Sequence, residues 1–173
     1  LPGWFAVPVE AFIRRSIEYP SPAGSVRSFC PEDQLLYAVL HHADSQFVID
    51  GRHLEDMVRL ARAHPIDWNT VLARGREYGM TVPLALLLDA LRIRGIETPD
   101  GLAGATWSAR VRHRLTTRWV ATSPALHRND APDTTRDLLV RMPLLSDRVT
   151  ALPRFLAHHA ALRALDHVLI AAR

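Results

Sequence analysis

CPEDQLLYAVLHHADSQF, residues 30–47, is the stretch whose reading decides the fold. Pro31 carries the fixed φ that suits a first helical turn. Glu32 and Asp33 set negative charge against the positive end of the helix dipole, and Leu35, Leu36, Val39, Leu40 and Ala43 recur on one face. The pattern predicts a helix from Pro31 to about Gln46 with one buried side.

Working outward from this segment, helical spacing continues in both directions. Asp50 and Gly51 lead into a helix carrying Leu54, Met57, Val58, Leu60 and Ala61, which Pro65 must stop. Asp67 reads as an N-cap, with Ile66 before it and Val71 after it spaced as a hydrophobic staple, and that helix runs to about Gly79. MTVPLALLLDALRI, residues 80–93, begins another helix at Thr81 or Val82. It is apolar on nearly all sides and therefore expected at the centre, with Gly95 as its stop. Thr106 to about Ala121 reads as a helix, as do Thr134 to Val140 and Pro153 to about Ala171, with Pro143 forcing a break between the last two. Upstream, a short helix starts near Pro8, and SPAGS, residues 21–25, reads as a loop. No segment sustains a period of two, so the expectation is an all-α single domain over 1–173, with about seven or eight helices and no sheet.

Composition bounds the function. A chain of 173 residues buries roughly 70% of the surface its unfolded form exposes, enough for an ordinary core. Cys30 is the only cysteine, which excludes an internal disulfide and makes a reducing cytoplasm the expected setting. No apolar run approaches the ~18 residues of a membrane span. The net charge is +3, but all 21 basic residues are arginine. That bias resembles genome composition more than a nucleic-acid footprint. The chain begins at Leu1, and no basic region followed by an apolar one marks a signal peptide, so an excerpt of a longer polypeptide is expected.

Two segments carry a family resemblance: CPEDQLLYAVLHHADSQF, and HLEDMVRLARAHPIDWNTVLARGREYGMTVPLALLLDALRIRG at residues 53–95 followed by Pro99. Together they resemble the helical C-terminal region of a bacterial family described as uncharacterised nucleotidyltransferases. The matching positions are Pro31, Glu32, Asp33, His41, Asp56, Asp67, Trp68 and Gly79, within residues 28–99. Residues 106–173 then supply additional helices. The resemblance implies a catalytic domain upstream, with a Gly-Ser turn and carboxylates on alternate residues of a strand, where side chains at i and i+2 share one face and can hold Mg²⁺ on a nucleotide's phosphates. This chain departs from that pattern. Gly24 and Ser25 are the only candidate turn, and the acids that follow, Glu32 and Asp33, are adjacent at a helix start. No catalytic or cofactor-binding residue is therefore assigned: the expectation is that the catalytic domain either precedes Leu1 or is absent, with Mg²⁺ only if such a domain exists upstream.

Two constellations remain. His41, His53 and Asp56, beside His42, have metal-ligand residue types. Adjacent histidines on a helix diverge by about 100°, so His41 and His42 are poorly placed to share an ion, and structural hydrogen bonding is the favoured role. His41 lies opposite the apolar face of its helix, where it is available to Asp56 on the next helix or to a second domain. Arg110, Arg114 and Arg118 recur every four residues beside Arg112 and His113, with tryptophans on the neighbouring stripe. Such a row can track phosphates of RNA or another acidic partner, although a solvated arginine face is the simpler reading. Hydrolase and nucleotide-loop motifs are missing: there is no GxSxG, GxGxxG or P-loop, and the nearest approach to a phosphohydrolase HD pair is the reversed Asp166-His167. Cys30, at the predicted N-cap, reads as a small residue ending a loop.

Overall fold

The computed structural model describes residues 5–22, 24–44, 51–122 and 145–147. Six α-helices lie among them: α1 (Val9–Arg14), α2 (Pro31–Asp44), α3 (Gly51–Ala63), α4 (Trp68–Glu77), α5 (Thr81–Ile93) and α6 (Trp107–Thr122). The helices expected at 134–140 and 153–171 lie outside the described residues.

α5 is the central element. Leu84, Leu87, Leu88 and Leu91 are almost wholly buried, as is Val82, and the helix touches α2, α3, α4 and α6. Its all-round apolar character is what a helix surrounded by others requires. α2 contributes Leu35, Leu36, Val39 and Ala43 to the same core, and α4 contributes Val71 and Leu72. Val58 of α3 joins that core, and Trp68, Ile66 and the other apolar positions of α3 pack against its margin.

The helix boundaries follow local chemistry. The Asp67 carboxylate accepts from the Asn69 and Thr70 N–H groups at 3.0 and 3.2 Å and from the Thr70 hydroxyl at 2.6 Å. Those donors, the Thr70 hydroxyl foremost, hold its carboxyl below the usual carboxylate range. α4 and α5 end alike. Gly79 and Gly95 take φ of 78° and 80°. Met80 then donates back to the Gly75 carbonyl at 2.7 Å, and Ile96 to that of Leu91 at 3.1 Å, the six-residue closure of a Schellman motif. Both following apolar residues are buried, so each stop also anchors the loop after it.

The hairpin corrects the all-α expectation. Two antiparallel strands, β1 (Ile17–Ser21) and β2 (Gly24–Ser28), pair with each other, so Ser21, Gly24 and Ser25 of the stretch read as a loop are strand residues. Ile17, Tyr19 and Val26 favour strand, but five residues are too few for a period of two to stand out, and Pro20 argues against pairing. The register resolves that conflict. Ser21 pairs with Gly24 across two connecting residues, and hydrogen-bonded pairs alternate from there, so Pro20 opposite Ser25 falls where no N–H is needed. Gly24 at φ 120° supplies a conformation that a side chain would resist. The Tyr19 ring lies edge-on to His64 with centroids 6.2 Å apart, and its hydroxyl is buried without a partner among the described residues.

The loop after α5 returns against that helix at Gly101, where a Cβ would lie 2.6 Å from the Ala85 Cα and 2.9 Å from its Cβ. Gly101→Ala is therefore expected to lower stability by on the order of 1–3 kcal/mol in urea denaturation, because backbone has to move. An unchanged midpoint would show that the loop does not press on α5.

Candidate functional site

The Pro-Glu-Asp helix start is the most constrained polar point among the described residues. Asp33, in the first turn of α2, is completely buried, yet its carboxylate is bound from two sides. Arg15, just past α1, donates through Nε to Oδ2 at 2.7 Å and through Nη2 to Oδ1 at 2.9 Å, and Arg74 of α4 donates to Oδ1 at 2.9 Å. Arg15 Nη2 also donates to the Tyr78 hydroxyl at 3.2 Å. The Arg15 guanidinium is held even further above neutrality than usual, chiefly by its bond to Asp33. The paired charges and shared hydrogen bonds are what permit burial of the carboxylate. Glu32 is engaged as well: its Oε1 accepts from the Asp67 N–H at 3.2 Å, tying α2 to the start of α4.

Gly24 and Ser25 open strand β2, and the acids that follow them are committed elsewhere, Asp33 to two guanidiniums and Glu32 to a backbone N–H. Among the described residues no group of three or more His, Cys, Asp or Glu is arranged to hold a metal ion. These residues do not fit Mg²⁺, and no catalytic step is derived through it. Cys30 lies beside the same network with Sγ 4.0 Å from Arg74 Nη1. Burial pushes its thiol above the ordinary range, which opposes a nucleophilic role.

The histidine cluster is brought together more closely than helical geometry alone implies. His41 and His42 have ring centroids 5.7 Å apart, and His53 crosses from α3 to lie 5.3 Å from the first and 5.4 Å from the second. All three, with Asp56, line one cavity of about 320 Å³ between α2 and α3. His42 forms its buried floor, whereas His41 and Asp56 are exposed. Tyr37, Phe29 and Met57, which the sequence reading did not single out for this role, line the same cavity. Tyr37 sits one turn before His41, a spacing that marks a shared helix face.

The arginine row divides. Arg112 turns inward, donating to the Ser146 carbonyl and pairing with Asp147 at 2.6 Å, and His113 meets Asp89 at 3.1 Å. Arg110, Arg114 and Arg118 lie on the exposed side of α6, with Arg110 donating to the Leu102 carbonyl at 3.0 Å. Trp107, at the start of the same helix, is 79% exposed. Asp147 has a second task that the sequence did not reveal. Its Oδ2 accepts from the Thr81 N–H at 2.9 Å and caps α5 from 66 positions away.

No helix among the described residues is long and apolar enough to cross a membrane. No curated protein and no solved structure matches the chain. A family model described as an uncharacterised nucleotidyltransferase matches residues 5–93, reaching upstream of the 28–99 resemblance to take in α1 and the hairpin. The match lies in the N-terminal part of this chain and does not single out a C-terminal region of the family. With the Pro-Glu-Asp helix start, the Asp-Trp helix start and the central α5 all inside it, the chain belongs to the family of uncharacterised nucleotidyltransferases.

Proposed function

We propose that these helices are the non-catalytic, C-terminal helical portion of a nucleotidyltransferase-like protein, supporting or positioning substrate for a catalytic domain outside this chain. The observation that carries the reading is the engagement of Glu32 and Asp33. They are the acids that follow Gly24-Ser25, and both serve to join α1, α2 and α4. A transferase needs carboxylates open to a metal and to phosphate oxygens, and a carboxylate enclosed by two guanidiniums is neither.

The test compares this chain with a longer polypeptide that contains it. With labelled nucleoside triphosphates, Mg²⁺ and total RNA or protein as acceptor, the longer polypeptide is expected to transfer nucleotide and this chain alone to transfer none. Transfer by this chain alone, abolished in Asp33→Asn, would overturn the proposal.

A second reading is favoured by one observation, the exposed Trp107 beside the outward arginines of α6. An aromatic platform next to a basic row is the pairing that single-stranded nucleic acid uses. Under this reading α6 binds RNA with steep salt dependence, and Arg114→Glu lowers affinity roughly tenfold in fluorescence anisotropy at low salt. No binding at low salt would remove the reading.

A further inference from the structure

The cleft between α2 and α3 has a chemistry of its own. Tyr37 and His41, one turn apart on α2, present aromatic surface, and Met57 on α3 adds a polarisable thioether to the same cavity. Tyr37 is 53% exposed, so its ring is accessible to a ligand. Asp56 supplies a largely exposed carboxylate, and its ion pair with Arg59 on the same helix, at 3.9 Å, is long and solvent-screened. The volume of about 320 Å³ lies at the small end of ligand sites and suits a compact ring system.

Those features discriminate among ligands. An inorganic anion would meet the Asp56 carboxylate. A transition metal needs three convergent donors, and no group of three is so arranged among the described residues. An aliphatic chain would leave imidazoles and a carboxylate facing hydrocarbon. A planar heteroaromatic ring with hydrogen-bond donors on its edge satisfies both parts of the cleft, stacking on the aromatic surface and donating an exocyclic amino group to the carboxylate.

We propose that the α2–α3 cleft binds a nucleobase, stacked on Tyr37 and His41, with Asp56 accepting from an exocyclic amino group. Adenine, cytosine and guanine carry such a group, and uracil does not, so the cleft discriminates against uracil. The choice of a nucleotide as the source of the ring rests on the nucleotidyltransferase reading. Binding itself is measured on this chain and needs no transfer.

The experiment follows the imidazole resonances of the whole chain by ¹H–¹⁵N correlation, assigned with His41→Gln and His53→Gln, during titration with AMP, CMP, GMP and UMP. Saturable shifts at His41 and His53 are expected for the amino-bearing bases, with UMP at least about fivefold weaker. Tyr37→Ala weakens binding about tenfold, in keeping with loss of a base-stacking surface, and Asp56→Asn erases the discrimination against UMP. Both side chains are largely exposed, so circular dichroism should show each variant folded as the parent. A short single-stranded RNA that binds more tightly than the monophosphates identifies an RNA end as the source of the base, and equal affinity identifies free nucleotide. No shift at about 10 mM nucleotide, or the same shifts with ribose 5-phosphate, overturns the proposal. Absence of transfer by the longer polypeptide would refute the catalytic reading and leave histidine shifts intact, so the two failures are distinguishable.

Discussion

Asp33→Ala is expected to cost about 3–5 kcal/mol of folding stability, because it removes the acceptor from two guanidiniums and leaves their charge uncompensated at a part-buried junction. A domain of this size has only about 5–15 kcal/mol in hand, so the urea midpoint should fall by about a fifth or more. Asp33→Asn, which keeps an acceptor of the same shape, should fall less. Arg15→Ala and Arg74→Ala should each be milder than the loss of Asp33, and their double variant should cost more than the sum, since only the second deletion leaves the buried carboxylate without a counter-charge. A cost below about 1 kcal/mol for Asp33→Ala would mean that α1, α2 and α4 are held by apolar packing alone.

Asp147→Ala is expected to cost about 2–4 kcal/mol, from two losses at one residue. The Thr81 N–H at the head of α5 loses the carboxylate that accepts from it, and Arg112, with a side chain only 14% exposed, loses its counter-ion. A helix cap is worth typically ~1 kcal/mol, and a hydrogen bond to a charged group about 1.5–3. Hydrogen exchange at the first turn of α5 should accelerate in the variant more than exchange at its last turn, where the Gly95 closure is untouched. Equal acceleration along the helix would show that Asp147 acts on global stability without capping α5.

The contrast between these two acids shows what a sequence can disclose. Pro31 marks a helix start through its fixed φ, and Asp67 and Gly95 mark helix ends through bonds to residues within a few positions, so α2, α4 and α5 are legible from local chemistry. Asp33 has the same local signature, a first-turn acid, and nothing nearby indicates that its partners stand 18 and 41 positions away. The hairpin escapes notice for the opposite reason. Its strands are local but only five residues long, and Pro20 is admissible solely because of a register that the sequence does not display.

The candidate sites divide in the same way. His41 and Asp56 were legible as neighbours across two helices, and the structure places both on one cavity. Tyr37, which gives that cavity an aromatic wall, looks in the sequence like one more apolar position of α2. Its 53% exposure depends on where α3 crosses, a tertiary outcome. The arginine periodicity of α6 was visible, but the inward turn of Arg112 depends on Asp147, whose partnership no spacing suggests.

The distant cap on α5 also orders events in time. A ribosome adds about 5–20 residues per second, so the 66 positions between Thr81 and Asp147 take roughly 3–13 s to synthesise. Through that interval the nascent chain holds its most apolar helix with the leading turn open. Buried Leu145 and Ser146, which arrive with the cap, have not yet been made. The family-matched stretch ends at residue 93, before any of these is translated. A polypeptide released there would carry the central helix without the carboxylate that accepts from its leading turn.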